Sequence, residues 1–179
     1  MLFNRHSRKL IVSALVIALL VGLYVTNKEQ PLYGNDHDSI AQVIQSIEGY
    51  QGIIEIIHIE DIADERYVAF LTNNIPAYIQ FEKDKDGNYL WRHIEKREDS
   101  FASFIIPTWI EKPPKLLIVA NLDNDIAAIE VQVNEHVMKR DIPVNQLFAT
   151  VIDLPKADGG SYKFEYNYFD QNGDPIRKE

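Results

Sequence analysis

The sequence predicts a chain in three parts: an N-terminal transmembrane helix, an α+β unit of one helix on an antiparallel meander, and a small all-β sandwich. Three observations predict it. Leu10 to Asn27 carry no charge, a short amphipathic stretch is followed by alternating strand patterns, and past a double proline only strand patterns remain.

Taken in order, residues 1–9 form a basic segment with Arg5, Arg8 and Lys9. The uncharged run at 10–27 reaches about 27 Å as a helix, close to a hydrocarbon core of about 30 Å. Lys28 and Glu29 follow it with no net charge, so the basic end is expected in the cytoplasm and the rest outside. The exit, Gly22-Leu-Tyr-Val-Thr-Asn27, lacks the paired small residues of a signal-peptide cleavage site. An uncleaved signal anchor is therefore expected rather than a cleaved signal peptide, with Tyr24 at the outer interface. Ala14, Ala18 and Gly22 share one helix face, a spacing common in any apolar export segment.

Composition fits an extracytoplasmic address. The 179 residues contain no cysteine, which excludes disulfides, thiolate catalysis and a lipoprotein anchor. Formal charge is −9, and setting aside the three cations of the basic segment leaves −12 for the remainder. Such a body is repelled by phosphate backbones, so nucleic acid is excluded as a partner.

Residues 28–35 read as a polar stalk. An α+β domain is expected over 36–110. In "DHDSIAQVIQSIEGY", Ser39 and Gln42 have capping-box spacing, Ile40, Val43, Ile44 and Ile47 form one apolar stripe, and Gly49 suits a C-cap. Strands are expected at Ile53–Ile59, Arg66–Thr72, Ile75–Lys83 and Asn88–Glu98, with turns at Asn73-Asn74 and Asp86-Gly87. "SFASFIIPTWI" is expected to add a last strand to this unit or to pack across it.

"EKPPK", residues 111–115, reads as a linker, because consecutive prolines cannot sit in a central strand. Over 116–179 the runs "LLIVANL", "AAIEVQVN", "HVMKRDIP", "LFATVIDLP" and "SYKFEYNYFD" alternate with turn signals, and Asn172-Gly173 turns into a short strand at Ile176. A fragment from Lys115 to Glu179 is expected to fold alone, though marginally for its size.

Within that region "DGGSYKF", Asp158 to Phe164, resembles the D-x-G-x-Y-x-C stretch of immunoglobulin-like domains. The resemblance implies a two-sheet Ig-like β-sandwich, with Tyr162 at the tyrosine corner and Phe164 where those domains carry a core cysteine. It departs from antibody domains in lacking the cysteine pair and a tryptophan. The whole layout is similar to uncharacterised membrane-anchored extracytoplasmic proteins of Gram-positive spore-forming bacteria.

The search for chemistry assigns no catalytic, cofactor or metal residues. His58 precedes Glu60, Asp61, Asp64 and Glu65, but the spacing matches no ligand set, and a strand ending in a solvated acidic turn is expected. "DKDGN" (Asp84 to Asn88) and "DQNGD" (Asp170 to Asp174) place acids around a glycine without the later glutamate of an EF-hand loop, so hairpin turns are expected at both. No nucleophile elbow or phosphate loop occurs, and Ser161 belongs to the corner. Tyr162, Phe164, Tyr166 and Tyr168 fall on one strand face, expected to be the core face, with Lys163, Glu165, Asn167 and Phe169 on the other.

These readings lead to a single-pass membrane protein held through residues 10–27, with its folded part outside. It is expected to be a non-enzymatic binding or interaction module for an envelope protein or polymer. An envelope hydrolase with a carboxylate pair is the alternative.

Overall fold

A computed structural model describes residues 31–107, 113–157 and 161–176. The chain divides into two compact units, Met1–Pro31 and Leu32–Glu179. The basic segment, the transmembrane run at 10–27 and most of the stalk lie outside the described residues. Among the described residues no helix is long and apolar enough to cross a membrane.

The second unit is mostly antiparallel β-sheet with one short helix. Helix α1 spans His37–Ser46. Its cap sits three residues earlier than the sequence spacing suggests. Asp36 is the N-cap, its carboxylate accepting from the Ser39 N–H while the Ser39 hydroxyl accepts from the Asp36 N–H, each at 2.9 Å. Serine takes the third helical position that glutamate usually fills, which the S-x-x-Q reading could not anticipate. The helix ends at Ile47 rather than at Gly49, which turns the chain beyond it with φ +84°. Ile40, Val43 and Ile44 are fully buried, as the apolar stripe requires.

Strands β1 (Ile54–Ile62), β2 (Glu65–Thr72), β3 (Ile75–Lys83) and β4 (Tyr89–Lys96) form a four-stranded meander in that order. Asn73 and Asn74 both have positive φ, which the β2–β3 turn needs and asparagine tolerates. β1 runs through Glu60 and Asp61, so these acids are strand residues and not the solvated turn expected there. Two bulges disturb the meander, at Ile57 and at Arg92. The second sets Trp91 opposite Phe81 and His93 opposite Gln80, so Trp91 and His93 face opposite sides although two residues apart.

The remaining strands are β5 (Phe101–Ile106), β6 (Lys115–Ala120), β7 (Ala128–Val133), β8 (His136–Asp141), β9 (Phe148–Asp153), β10 (Phe164–Phe169) and β11 (Pro175–Ile176). They form two sheets, β5-β6-β9 and β11-β10-β7-β8. Three apolar clusters stack these layers. One lies between α1 and the meander, centred on Phe70, Ile79 and Phe81. A second joins the other face of the meander, through Tyr67, Leu71 and Tyr78, to Phe104, Ile106, Leu117 and Val119 of the β5-β6-β9 sheet. A third fills the sandwich, where Phe101, Leu116 and Ile118 meet Ile129, Val131 and Val133.

The expected linker at residues 111–115 falls between β5 and β6. β5 pairs with β6 along its whole length, from Phe101 opposite Ala120 to Ile106 opposite Lys115. Pro113 and Pro114 therefore lie in the connection between neighbouring strands of one sheet. β5 packs across the meander but hydrogen-bonds within the sandwich. The reason is visible in β6, whose residues from Leu116 to Ala120 are all buried because its sheet is covered on both faces.

Candidate functional site

The acidic stretch after His58 is dispersed by the strands that carry it. The His58 ring and Glu60 lie side by side at 3.2 Å, both partly exposed. Asp61 turns to Arg66, and Glu65 is buried with Tyr67 and Gln80. Among the described residues no group of three or more His, Asp or Glu side chains could hold a metal ion.

The two glycine-containing acidic loops are turns of one design. Asp84 Oδ1 accepts from the N–H groups of Asp86 and Asn88 at 2.9 and 2.8 Å, and Asp170 Oδ1 accepts from Asn172 and Asp174 at 2.8 and 2.9 Å. Gly87 and Gly173 supply φ of +87° and +84° at matching positions. The backbone N–H of Asp174, with those of Asn172 and Gly173, holds the Asp170 carboxyl below its ordinary value. In both turns the first aspartate is committed to its own backbone.

The tyrosine face of β10 packs on the sandwich core as its alternation predicts. Tyr162, Phe164, Tyr166 and Tyr168 form a ladder of nearly parallel rings, with centroids 6.1 to 6.4 Å apart. Burial raises the Tyr166 and Tyr168 hydroxyls above their ordinary value. At the head of the ladder the Tyr162 hydroxyl accepts from the backbone N–H of Ala157, five residues upstream, at 3.3 Å. Residues 158–160, the start of the corner motif, lie outside the described residues.

Two arrangements had no counterpart in the sequence reading. The first is buried between the meander and β5. The Tyr67 hydroxyl lies 2.7 Å from Glu65 Oε2 and 2.9 Å from the carbonyl of Pro107, while Gln80 Nε2 donates to Glu65 Oε1 at 2.7 Å. Burial first, and then the Glu65 carboxylate, hold the Tyr67 hydroxyl far above its ordinary value. This cluster ties β2, β3 and the residue that follows β5 through polar atoms in a region that is otherwise apolar.

The second arrangement centres on Arg66 at the point where the chain enters the fold. Its Nε and one terminal nitrogen hold both oxygens of Asp61 at 2.7 Å, and the other donates to the carbonyls of Gly34 and Asn35 at 3.0 and 2.9 Å. The guanidinium also lies 4.0 Å from the centre of the Tyr89 ring. The hydrogen bonds from Arg66 lower the Asp61 carboxyl below its ordinary value, burial opposing them, and the same bonds raise Arg66. The entering segment is held from a second side: Gly34 N–H donates to the Tyr89 carbonyl, Tyr89 N–H to Asn35 Oδ1, and Asn35 Nδ2 to Asn88 Oδ1. A β-carbon at Gly34 would sit 2.3 Å from the Phe81 ring, so only glycine permits this crossing. An arginine five residues after an aspartate inside a strand pattern was the available signal, but nothing local named its backbone acceptors.

Comparison with known proteins finds no matching family model, no matching curated protein and no matching solved structure.

Proposed function

We propose that this chain is a membrane-anchored extracytoplasmic protein, held through residues 10–27, whose folded part is a non-enzymatic interaction module of the cell envelope. Its sandwich is read as Ig-like. Support for that reading comes from the division of seven strands into β5-β6-β9 and β11-β10-β7-β8, and from the Tyr162 hydroxyl on the Ala157 backbone upstream.

The observation that carries the non-enzymatic reading is the use made of the acids. Asp61 serves Arg66, Glu65 serves Tyr67 and Gln80, Glu82 serves Arg92, and Asp84 and Asp170 serve their own turns. These carboxylates hold the fold together instead of converging on a cleft, as an acid and base for glycoside cleavage must. Fold alone does not carry function, so the test must be chemical. A photo-crosslinker placed at Glu130 or Asn167, on the outer face of the sandwich, should trap a discrete envelope component in living cells. Release of soluble fragments from isolated envelope polymer by the purified protein would support a hydrolase instead.

A further inference from the structure

Strand β8 stands at the end of its sheet, where the order is β11-β10-β7-β8. Its register with β7 sets His136, Met138 and Arg140 opposite Val133, Val131 and Ile129, three buried residues of the sandwich core. Residues opposite one another in a pair of strands share a face, so a histidine and an arginine flank Met138 on the inward face of an edge strand. The bond from the Ile142 N–H to the Ala127 carbonyl, next to the last pair, fixes the alternation of the ladder. It assigns the backbone groups of His136, Met138 and Arg140 to β7 and turns those of Val137, Lys139 and Asp141 outward, where they meet no partner among the described residues.

Between β8 and β9 lies a cavity of about 230 Å³, lined by Val131, Met138, Lys139, Arg140 and Ile152. Its wall is apolar and its rim is cationic. Lys139 reaches over the Phe169 ring at 5.2 Å, while neither His136 nor Arg140 has an ion pair among the described residues. Three of the six residues of β8 are thus basic, in a chain of formal charge −9.

We propose that β8 is a strand-addition site for an extended acidic segment of a partner protein. The segment pairs antiparallel, so that an apolar residue covers Met138 and acidic residues two places to either side meet His136 and Arg140. The inference rests on the interaction-module reading and gives that module its binding edge. Main-chain bonds to Val137, Lys139 and Asp141 supply the affinity, and the cavity with its basic neighbours selects the sequence. Basic residues on the inward face of an edge strand deter an apolar strand, and they attract an acidic one. A second copy of β8 does not fit. Antiparallel self-pairing centred on Met138 sets Arg140 opposite His136, and pairing centred on Lys139 sets two lysines face to face.

The full-length protein in detergent micelles is titrated with the blocked heptapeptide Thr-Glu-Thr-Leu-Thr-Glu-Thr, which carries its acidic and apolar residues on one strand face. The amide resonances of Val137, Lys139 and Asp141 should shift, and the same peptide with lysine for glutamate should bind about tenfold more weakly. N-methylation of the threonines, whose N–H groups face β8 in this register, should abolish binding. Arg140→Glu, a change at an exposed side chain, should reverse the order of the two peptides. Lys139→Pro withdraws an outward N–H that β7 does not use, and should weaken the glutamate peptide in a protein whose circular dichroism is unchanged. Undiminished binding of the N-methylated peptide would overturn strand addition and leave charge attraction alone. Absence of binding, or equal binding of the two peptides, would overturn the proposal. If a crosslinker at Glu130 or Asn167 still traps a component in that case, the module reading stands and this edge is removed from it.

Discussion

Arg66 grips Asp61 with two hydrogen bonds of 2.7 Å, and the same guanidinium donates to the backbone carbonyls of Gly34 and Asn35 in the entering segment. Arg66→Ala removes four bonds to one charged group, for which a loss of about 1 to 3 kcal/mol is expected. Arg66→Lys keeps the charge but not the fork, and should recover only part of the loss. Urea unfolding of the three proteins measures the order.

The same pair sets an acid dependence. The folded Asp61 carboxyl titrates below its ordinary value, so the unfolded chain takes up the proton more readily. Its contribution is fully present above the ordinary carboxylate value of about 4 and is lost as pH falls through the lowered one. The wild type should lose stability on acidification more steeply than Arg66→Lys, as read from unfolding midpoints across that range.

At the alkaline end the buried tyrosines act in the opposite direction. Burial, with Glu95 adding to it, pushes Tyr78 up to about 12, and Tyr67 stands higher still. The folded state therefore keeps protons that the unfolded chain gives up near 10, and stability falls as pH rises from about 10 toward 12. An ultraviolet titration should show exposed tyrosines ionising first and a late group ionising together with unfolding.

Tyr162→Phe leaves the N–H of Ala157, a buried residue, without its acceptor. A cost of about 1 to 2 kcal/mol is expected, at the lower part of the range for an unsatisfied buried group because the ring is itself only half-buried. A neutral result by thermal unfolding would reduce the corner to a packing contact.

A fragment beginning at Lys115 lacks β5, which leaves β6 unpaired on one side and Leu117 and Val119 without their cover. It should be unfolded by circular dichroism, whereas the intact protein should melt in one transition. A fragment that folds alone would support the division at the double proline.

What could be read from the sequence was whatever is local. The four meander strands, the hairpin glycines Gly87 and Gly173, and the inward parity of Tyr162 to Tyr168 each follow from residues within one element or one turn. The partner of β5 did not, because alternation says which face is buried and nothing about which strand shares the hydrogen bonds. Two prolines exclude a strand, and that signal is the same for a domain boundary and for a connection between adjacent strands. The Arg66 network was hidden for a similar reason: its acceptors are main-chain carbonyls more than thirty residues away, and carbonyls carry no sequence signal.

The claim on which the rest depends is that residues 10–27 stay with the protein and hold it, and intact-mass analysis of the membrane fraction tests it most directly. The mass of the whole 179-residue chain is expected in the carbonate-resistant pellet, with a reporter fused after Glu179 active only on the outer side. A soluble species whose mass begins near Thr26 would contradict it, showing that the segment is a cleaved signal and the folded unit is released.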